Sequence, residues 1–190
     1  GMGGRVKGSF PAFLPKTDEV RVQVLESVLQ RHSGQLFSMT EKLDGTSFTA
    51  FLHEDEFGIC SRNQWIDESD RGNILVRIAD ELQLIERLRC IRDGHGFDPA
   101  VQGEVIGPGV QGNKYALSKV ELHLFNLLRI NDGCLVDRTE QLRILREVGL
   151  QSVPQLGEIA LPHSVDELVA LSVGTSQLNP RVQREGIVFR

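Results

Sequence analysis

At 190 residues, with 40% hydrophobic and 25% charged content, the chain has the make-up of one globular domain, and no stretch approaches the roughly 18 consecutive apolar residues of a membrane span. A formal charge of −5 excludes a surface that grips nucleic acid by bulk positive charge, so such binding would have to come from a local patch. Three scattered cysteines, Cys60, Cys90 and Cys134, exclude a disulfide framework and a C-x-x-C metal knuckle.

The cysteines are expected to be reduced core residues, and a chain without an apolar signal core is expected to stay in the cytoplasm. Gly1-Met2 reads as a tag scar and Gly3-Gly4 as frayed, so residues 1–4 are set aside. After Pro11 and Pro15, Thr17-Asp18 precede Val20, Val24, Leu25, Val28 and Leu29 on one helical face, a capped amphipathic helix that ends near Gly34. The period then changes. Residues 36–43 and 47–52 are β-rich and flank Asp44-Gly45; a turn over 53–58 leads into residues 59–61 as the third strand of an antiparallel meander.

From residue 73 to 91, Ile74, Ile78, Leu82, Ile85 and Leu88 recur at three and four residues, which predicts the longest helix of the chain, broken by Asp93-Gly94-His95-Gly96. Residues 100–106 read as a strand that runs into a glycine loop, 107–112. Residues 122–130 form another strand, turned by Asn131-Asp132-Gly133 into residues 134–136. One helix follows Asp137 and another follows the Ser164-Val165-Asp166-Glu167 capping box; residues 184–190 read as a last strand. Strands and helices that do not alternate as βαβ units predict an α+β domain built on antiparallel sheets.

Four stretches carry related chemistry: Lys42-Leu43-Asp44-Gly45, Ser61-Arg62-Asn63, Gln102-Gly103-Glu104 and Glu185-Gly186. The first places an amine, a carboxylate and a permissive turn within four residues. Glu104 and Glu185 each sit beside a glycine on an apolar strand, where a charge is costly unless paired or placed in a cleft. Read singly, each has a plain explanation: Lys42 as a solvated strand-end lysine, Arg62 as a surface arginine, Phe125 as core. The loop 107–112 has G-x-x-x-x-G spacing, but Asn113-Lys114-Tyr115 follow where a P-loop needs Lys and then Ser or Thr. The five histidines lie in no ligand-spaced cluster.

In this order the motifs resemble the covalent nucleotidyltransferase superfamily of polynucleotide ligases and capping enzymes. The match is strongest to ATP-dependent RNA ligases that seal 3′-hydroxyl and 5′-phosphate ends. Ser9-Phe10-Pro11, Pro15 to Asp18 and the loop from Gly103 to Tyr115 resemble a bacterial-type, nick-sealing subgroup. The resemblance implies an α+β nucleotidyltransferase domain, antiparallel sheets flanked by helices around an ATP-grasp-like cleft.

It also implies the chemistry. Lys42 attacks the α-phosphate of ATP and forms a lysyl-adenylate; AMP passes to an RNA 5′-phosphate, and the 3′-hydroxyl displaces it. Lysine must be neutral to attack, so its ordinary pKa near 10.4 has to fall. Mg²⁺, with Mn²⁺ able to substitute, is the implied ion, held through water by Asp44, Glu104 and Glu185. Glu41, Lys42, Arg62, Glu104 and Phe125 are the implied nucleotide contacts, Phe125 as the adenine-stacking aromatic. Asn113 and Lys114 are the implied RNA contacts. Glu41 alternates with Lys42, which points its side chain to the other sheet face.

The family pattern continues with a lysine-bearing strand about twenty residues past the Glu-Gly motif, and nothing follows Arg190. Residues 5–190 are therefore expected to form a nucleotidyltransferase domain incomplete at its C-terminal end, without an accessory OB domain. The alternatives are a capping-type guanylyltransferase that uses GTP and a truncated, non-catalytic nucleotide- or RNA-binding module. A DNA ligase is disfavoured by Ser47, where many such enzymes carry arginine. The physiological RNA and the oligomeric state are not fixed by the sequence.

Overall fold

Strands that follow one another in sequence are divided between two sheets. The computed structural model describes residues 5–16 and 22–190, with the backbone alone for residues 22–26. The expected cap at Thr17-Asp18 and the set-aside residues 1–4 lie outside the described residues. In chain order the elements are β1 (Val6–Ser9), α1 (Val22–His32), β2 (Leu36–Lys42), β3 (Thr46–His53), β4 (Glu56–Cys60) and β5 (Gln64–Ile66). There follow α2 (Ile74–Glu81), α3 (Leu84–His95), β6 (Pro99–Ile106), β7 (Glu121–Arg129), β8 (Cys134–Leu135), α4 (Arg138–Glu147), β9 (Gln155–Ala160), α5 (Val165–Ser172) and β10 (Gly186–Phe189).

The larger sheet runs β1-β5-β4-β3-β6-β7-β8 and the smaller β10-β2-β9, with antiparallel pairing throughout. The α+β expectation holds. On β3, Phe48, Ala50 and Leu52 face a core filled by Leu75 and Ile78 of α2, Leu84, Leu88 and Ile91 of α3, and Ile144 and Leu145 of α4. Phe51 faces the other way, toward Leu14, Cys60, Ala100 and Leu128, under a cover that includes Phe10. The centre of this sheet is thus buried on both faces, which is why its strands read as apolar runs. The smaller sheet packs Phe37 and Phe189 against Leu29 of α1 and Leu168 of α5.

Four expectations need correction. Residues 36–43 and 47–52 do not belong to one meander: β2 pairs with β9 and β10, whereas β3 pairs with β4 and β6. The turn over 53–58 is only two residues long, with Glu54 and Asp55 at φ 50° and 65°, the geometry that matches the twist of a tight hairpin. The long helix is two, separated by Gln83 in the left-handed region (φ 50°, ψ 49°). Arg87 Nε donates to the Leu82 carbonyl at the end of α2, and both helices keep their apolar residues on the same core, so the periodicity runs on through the break. Of the cysteines only Cys60 is buried, its thiol pushed up to about 12 by burial and then by Glu68; Cys90 and Cys134 are exposed. Strands β1, β5 and β9 carry no signal that sequence reading detected.

Candidate active site

Lys42, the last residue of β2, and Asp44-Gly45 form the link from the small sheet to the large one. Across the small sheet Lys42 pairs with Gly186, so the residue before β10 lies next to it, and Lys42 Nζ stands 3.5 Å from Glu185 Oε1. The pair is about a third exposed on each side, as a group open to a ligand needs to be. Gly45 is held against the backbone of β6: a Cβ there would meet the Val105 carbonyl oxygen at 2.2 Å. Any side chain would push the lysine turn off the strand that carries Glu104. Gly103, beside Glu104, is equally constrained: a Cβ there would meet the His123 carbonyl oxygen at 2.2 Å.

Ser47 lies opposite Glu104 between β3 and β6, which brings Glu104 into the electrostatic field of Lys42, Asp44, Arg62 and Glu185. Glu104 is half-buried, and its pKa rises to about 7. Burial is the main cause and the negative Glu185 the next, with Lys42 and Arg62 opposing and Asp44 adding to the rise. Three carboxylates around two cations leave an excess of negative charge, which suits a hard cation. Among the described residues no three His, Cys, Asp or Glu side chains are grouped closely enough to ligate one ion directly. That spacing fits an ion that keeps its own waters between itself and the carboxylates.

These residues line a cleft of about 1170 Å³ between the sheets, with Lys42, Asp44, Arg62, Glu104, Phe125 and Glu185 on its walls. Arg62 stands in the turn between β4 and β5, closed by Ser61 N donating to the Gln64 carbonyl, so it is a turn residue and not part of a strand. Phe125 on β7 carries the Arg190 guanidinium over its ring at 4.7 Å, and Arg190 Nη1 donates to Asn126 Oδ1 at 2.7 Å. Burial, and then repulsion by Arg138, pushes Arg190 down to about 10. Glu41 is 1% exposed; its Oε1 accepts from Gln177 N at 2.7 Å, and its own N–H donates to the Pro154 carbonyl. Its carboxylate therefore ties the segment that precedes Glu185 to the strand of Lys42.

Asn113 and Lys114 are not on the cleft wall; Gln111 of the same loop is. Asn113 closes its own loop, with Nδ2 donating to the Leu117 carbonyl and Oδ1 accepting from Leu117 N, each at 3.0 Å. Sequence reasoning missed Lys16, Gln111, Asn126 and Arg190 as cleft residues. The signal for Arg190 was present, a cation closing the strand that Glu185 opens; the other three had none in the residues around them.

Lys42 at the end of β2, paired with Glu185 just before β10 and facing Glu104 across a cleft between two sheets, matches the arrangement expected of a nucleotidyltransferase domain. The family model for RNA ligase matches residues 35–190, and the chain belongs to that family. Solved structures agree in fold. A mutant of Naegleria gruberi RNA ligase with ATP and Mn is 32% identical, with a TM-score of 0.91 over 100% of this chain and 55% of that one. A second mutant of that ligase with AMP and Mn, and the ligase with PPi, are each 32% identical with TM-score 0.91, over 100% of this chain and 56% of theirs. The chain therefore spans about half the length of the solved structures it matches. Comparison with curated protein sequences gives no match. No helix among the described residues is long and apolar enough to cross a membrane.

Proposed function

We propose that this chain carries the lysine-adenylylating centre of an ATP-dependent RNA ligase that joins 3′-hydroxyl and 5′-phosphate RNA ends. The observation that carries the reading is Lys42 Nζ at 3.5 Å from Glu185, with the half-buried Glu104 facing both. The Naegleria gruberi ligase solved with ATP and with AMP supports the choice of ATP over GTP.

Lys42, a third exposed, gives up its ammonium proton to solvent, and its lone pair attacks the α-phosphorus. A P–N bond forms as the bridging P–O bond to the β-phosphate breaks, and pyrophosphate leaves. The nucleotidyl group then passes to the RNA 5′-phosphate, and attack by the 3′-hydroxyl expels AMP. Glu185 holds Nζ in place; in doing so it favours the ammonium, so the ion pair has to loosen when ATP binds. Asp44, Glu104 and Glu185 would hold a divalent ion through water; such an ion offsets charge on the phosphoryl oxygens and eases loss of the lysine proton. Arg62 reaches the sugar or phosphates, and Phe125 offers its ring to the adenine, which requires Arg190 to share or leave that ring. Glu41 acts through its main chain and its hold on Gln177. Of the two proposed RNA contacts, Lys114 keeps its ammonium available, whereas Asn113 serves by shaping the loop. Residues 5–190 carry the nucleotidyltransferase fold that this chemistry needs.

Incubation with Mg²⁺ or Mn²⁺ and ATP or GTP labelled at the α-phosphate, followed by a denaturing gel, tests this. Covalent label from ATP that Lys42→Ala abolishes is the expected result. Label from GTP alone would support the guanylyltransferase reading instead, and label that survives Lys42→Ala would remove Lys42 as the nucleophile.

A further inference from the structure

We infer that Tyr115 is a positioning residue for the nucleophile, holding the Asp44-Gly45 turn through its phenolic oxygen; the inference rests on the role proposed for Lys42. The Asp44 N–H donates to Tyr115 Oη at 2.6 Å. Tyr115 is 3% exposed and packs with Leu43, Ile106 and Val153, so the bond lies within an apolar cluster and little water is at hand to replace it.

The loop that carries the phenol is a firm support. Asn113 staples it to Leu117 from both ends of its amide, Val110 N donates to the Gly107 carbonyl, and the Lys114 carbonyl accepts from Asn179 Nδ2 at 3.2 Å. Gln111, Asn113 and Ala116 hold φ of 47°, 51° and 54°, an uncommon conformation that persists only where its surroundings impose it. The last of these contacts also joins the loop to the segment that leads to Glu185. The two residues proposed to meet at the α-phosphate, Lys42 and Glu185, are therefore tied to one loop by separate bonds.

A phenol suits this place better than a carboxylate. Asp44, Glu104 and Glu185 already crowd the cleft with negative charge, and a neutral phenol buried among Leu43, Ile106 and Val153 accepts the amide hydrogen without adding another. Lys42 lies two residues before the anchored amide. Loss of the anchor displaces Nζ relative to the phosphorus, and displacement of about 1 Å can cost about a hundredfold in rate. The loss falls on the rate of attack, not on nucleotide binding.

Tyr115 is the chain's single tyrosine, which makes it a clean probe. Tyr115→Phe keeps the ring and removes the acceptor. In single-turnover labelling with ATP and Mn²⁺ the expected result is a rate constant about 10- to 100-fold lower, with the labelled fraction at completion and the half-saturating ATP concentration within about twofold of wild type. Amide exchange at Asp44 should accelerate while exchange along β3 and β6 is unchanged. A wild-type rate constant overturns the inference. So does a reduced labelled fraction at an unchanged rate constant, which is the mark of a merely structural residue. If Tyr115→Phe does not fold, 3-fluorotyrosine, which weakens the same acceptor without altering shape, decides: its rate constant should fall at least about threefold, and an unchanged one overturns the inference. A wild type that takes no label refutes the reading of Lys42 but not the anchor, which is then judged by Asp44 exchange alone: slow exchange supports it and fast exchange overturns it.

Discussion

The two sheets are held by different means. In the larger, β6 is buried along nearly its whole length and β3 through its middle, each packed on both faces. In the smaller, β9 has no buried residue and β10 only Gly186, and the sheet rests on the short contact of Phe37 and Phe189 with α1 and α5. Glu104 and Phe125 stand on the first, with Arg62 in the turn between two of its strands; Lys42 ends a strand of the second, and Glu185 immediately precedes another. The charged wall of the cleft is thus set by core packing. Lys42 is set by point attachments: Gly45 on Val105, Asp44 on Tyr115, and Glu41 on Gln177.

The contrast predicts unequal outcomes for one substitution made on either side. Gly45→Ala forces a methyl group to 2.2 Å from the Val105 carbonyl, and nothing there is flexible enough to move. It should destabilise the fold by about 3 kcal/mol and reduce lysine labelling at least about a hundredfold. Gly186→Ala places its methyl 4.0 Å from Lys42 Cδ, an ordinary contact, and should change stability by less than about 0.5 kcal/mol. Urea unfolding of both variants makes the comparison; equal losses would mean that the small sheet is as closely packed as the large.

Glu104 gives the next largest effect, with a sign fixed by its environment. Its pKa rises from 4.5 in the unfolded chain to about 7 in the folded one, chiefly through burial and then through Glu185. Between those values the native chain keeps a proton that the unfolded chain has lost. The stability contributed by this group is therefore present below pH 4.5 and is lost as pH rises toward 7, on the order of 2 kcal/mol. Glu104→Gln should flatten that part of the pH profile and be more stable than wild type at pH 8, while labelling falls at least about a hundredfold. Mn²⁺ at pH 8 should restore stability to wild type and not to the variant. An unchanged profile in Glu104→Gln would mean that the charge on Glu104 is already compensated in the folded chain.

The chemistry was more legible in the sequence than the architecture around it. Glu104 and Glu185 are each a charge beside a glycine on an apolar strand, and Lys42 stands three residues before Gly45 at a strand end, patterns that local sequence contains in full. The assignment of β2 and β3 to different sheets is not, because it is decided by the pairing of β2 with β9 and β10, more than a hundred residues away. The break at Gln83 is hidden by a periodicity that both helices share. Tyr115 carries no local mark of its role: its bond to Asp44 spans 71 residues, and no spacing rule reaches that far. The Asn113 amide bonds the backbone of Leu117, a use that looks the same in sequence as an amide open to a ligand.

The smallest effects should come from the helix caps, where the same contrast can be tested away from the cleft. Asn73 is buried, and its side chain accepts from Leu75 N at 2.8 Å; it begins α2, whose Leu75, Val76, Ile78 and Ala79 all lie in the large core. Ser164 accepts from Glu167 N at 3.2 Å in an exposed position and begins α5, which buries only Leu168. Asn73→Ala strands a buried N–H and should cost about 1.5 kcal/mol, whereas Ser164→Ala lets water take over and should cost about 0.5 kcal/mol. For a chain of this size the first corresponds to a fall of about 3–6 °C in melting temperature and the second to about 1–2 °C. Amide exchange adds the spatial test: the Asn73 variant should open with the whole large sheet, and the Ser164 variant only along α5. If the Ser164 cap proved the costlier, the small sheet would be supported by its helix after all, and Lys42 would owe its position to packing instead of to point attachments.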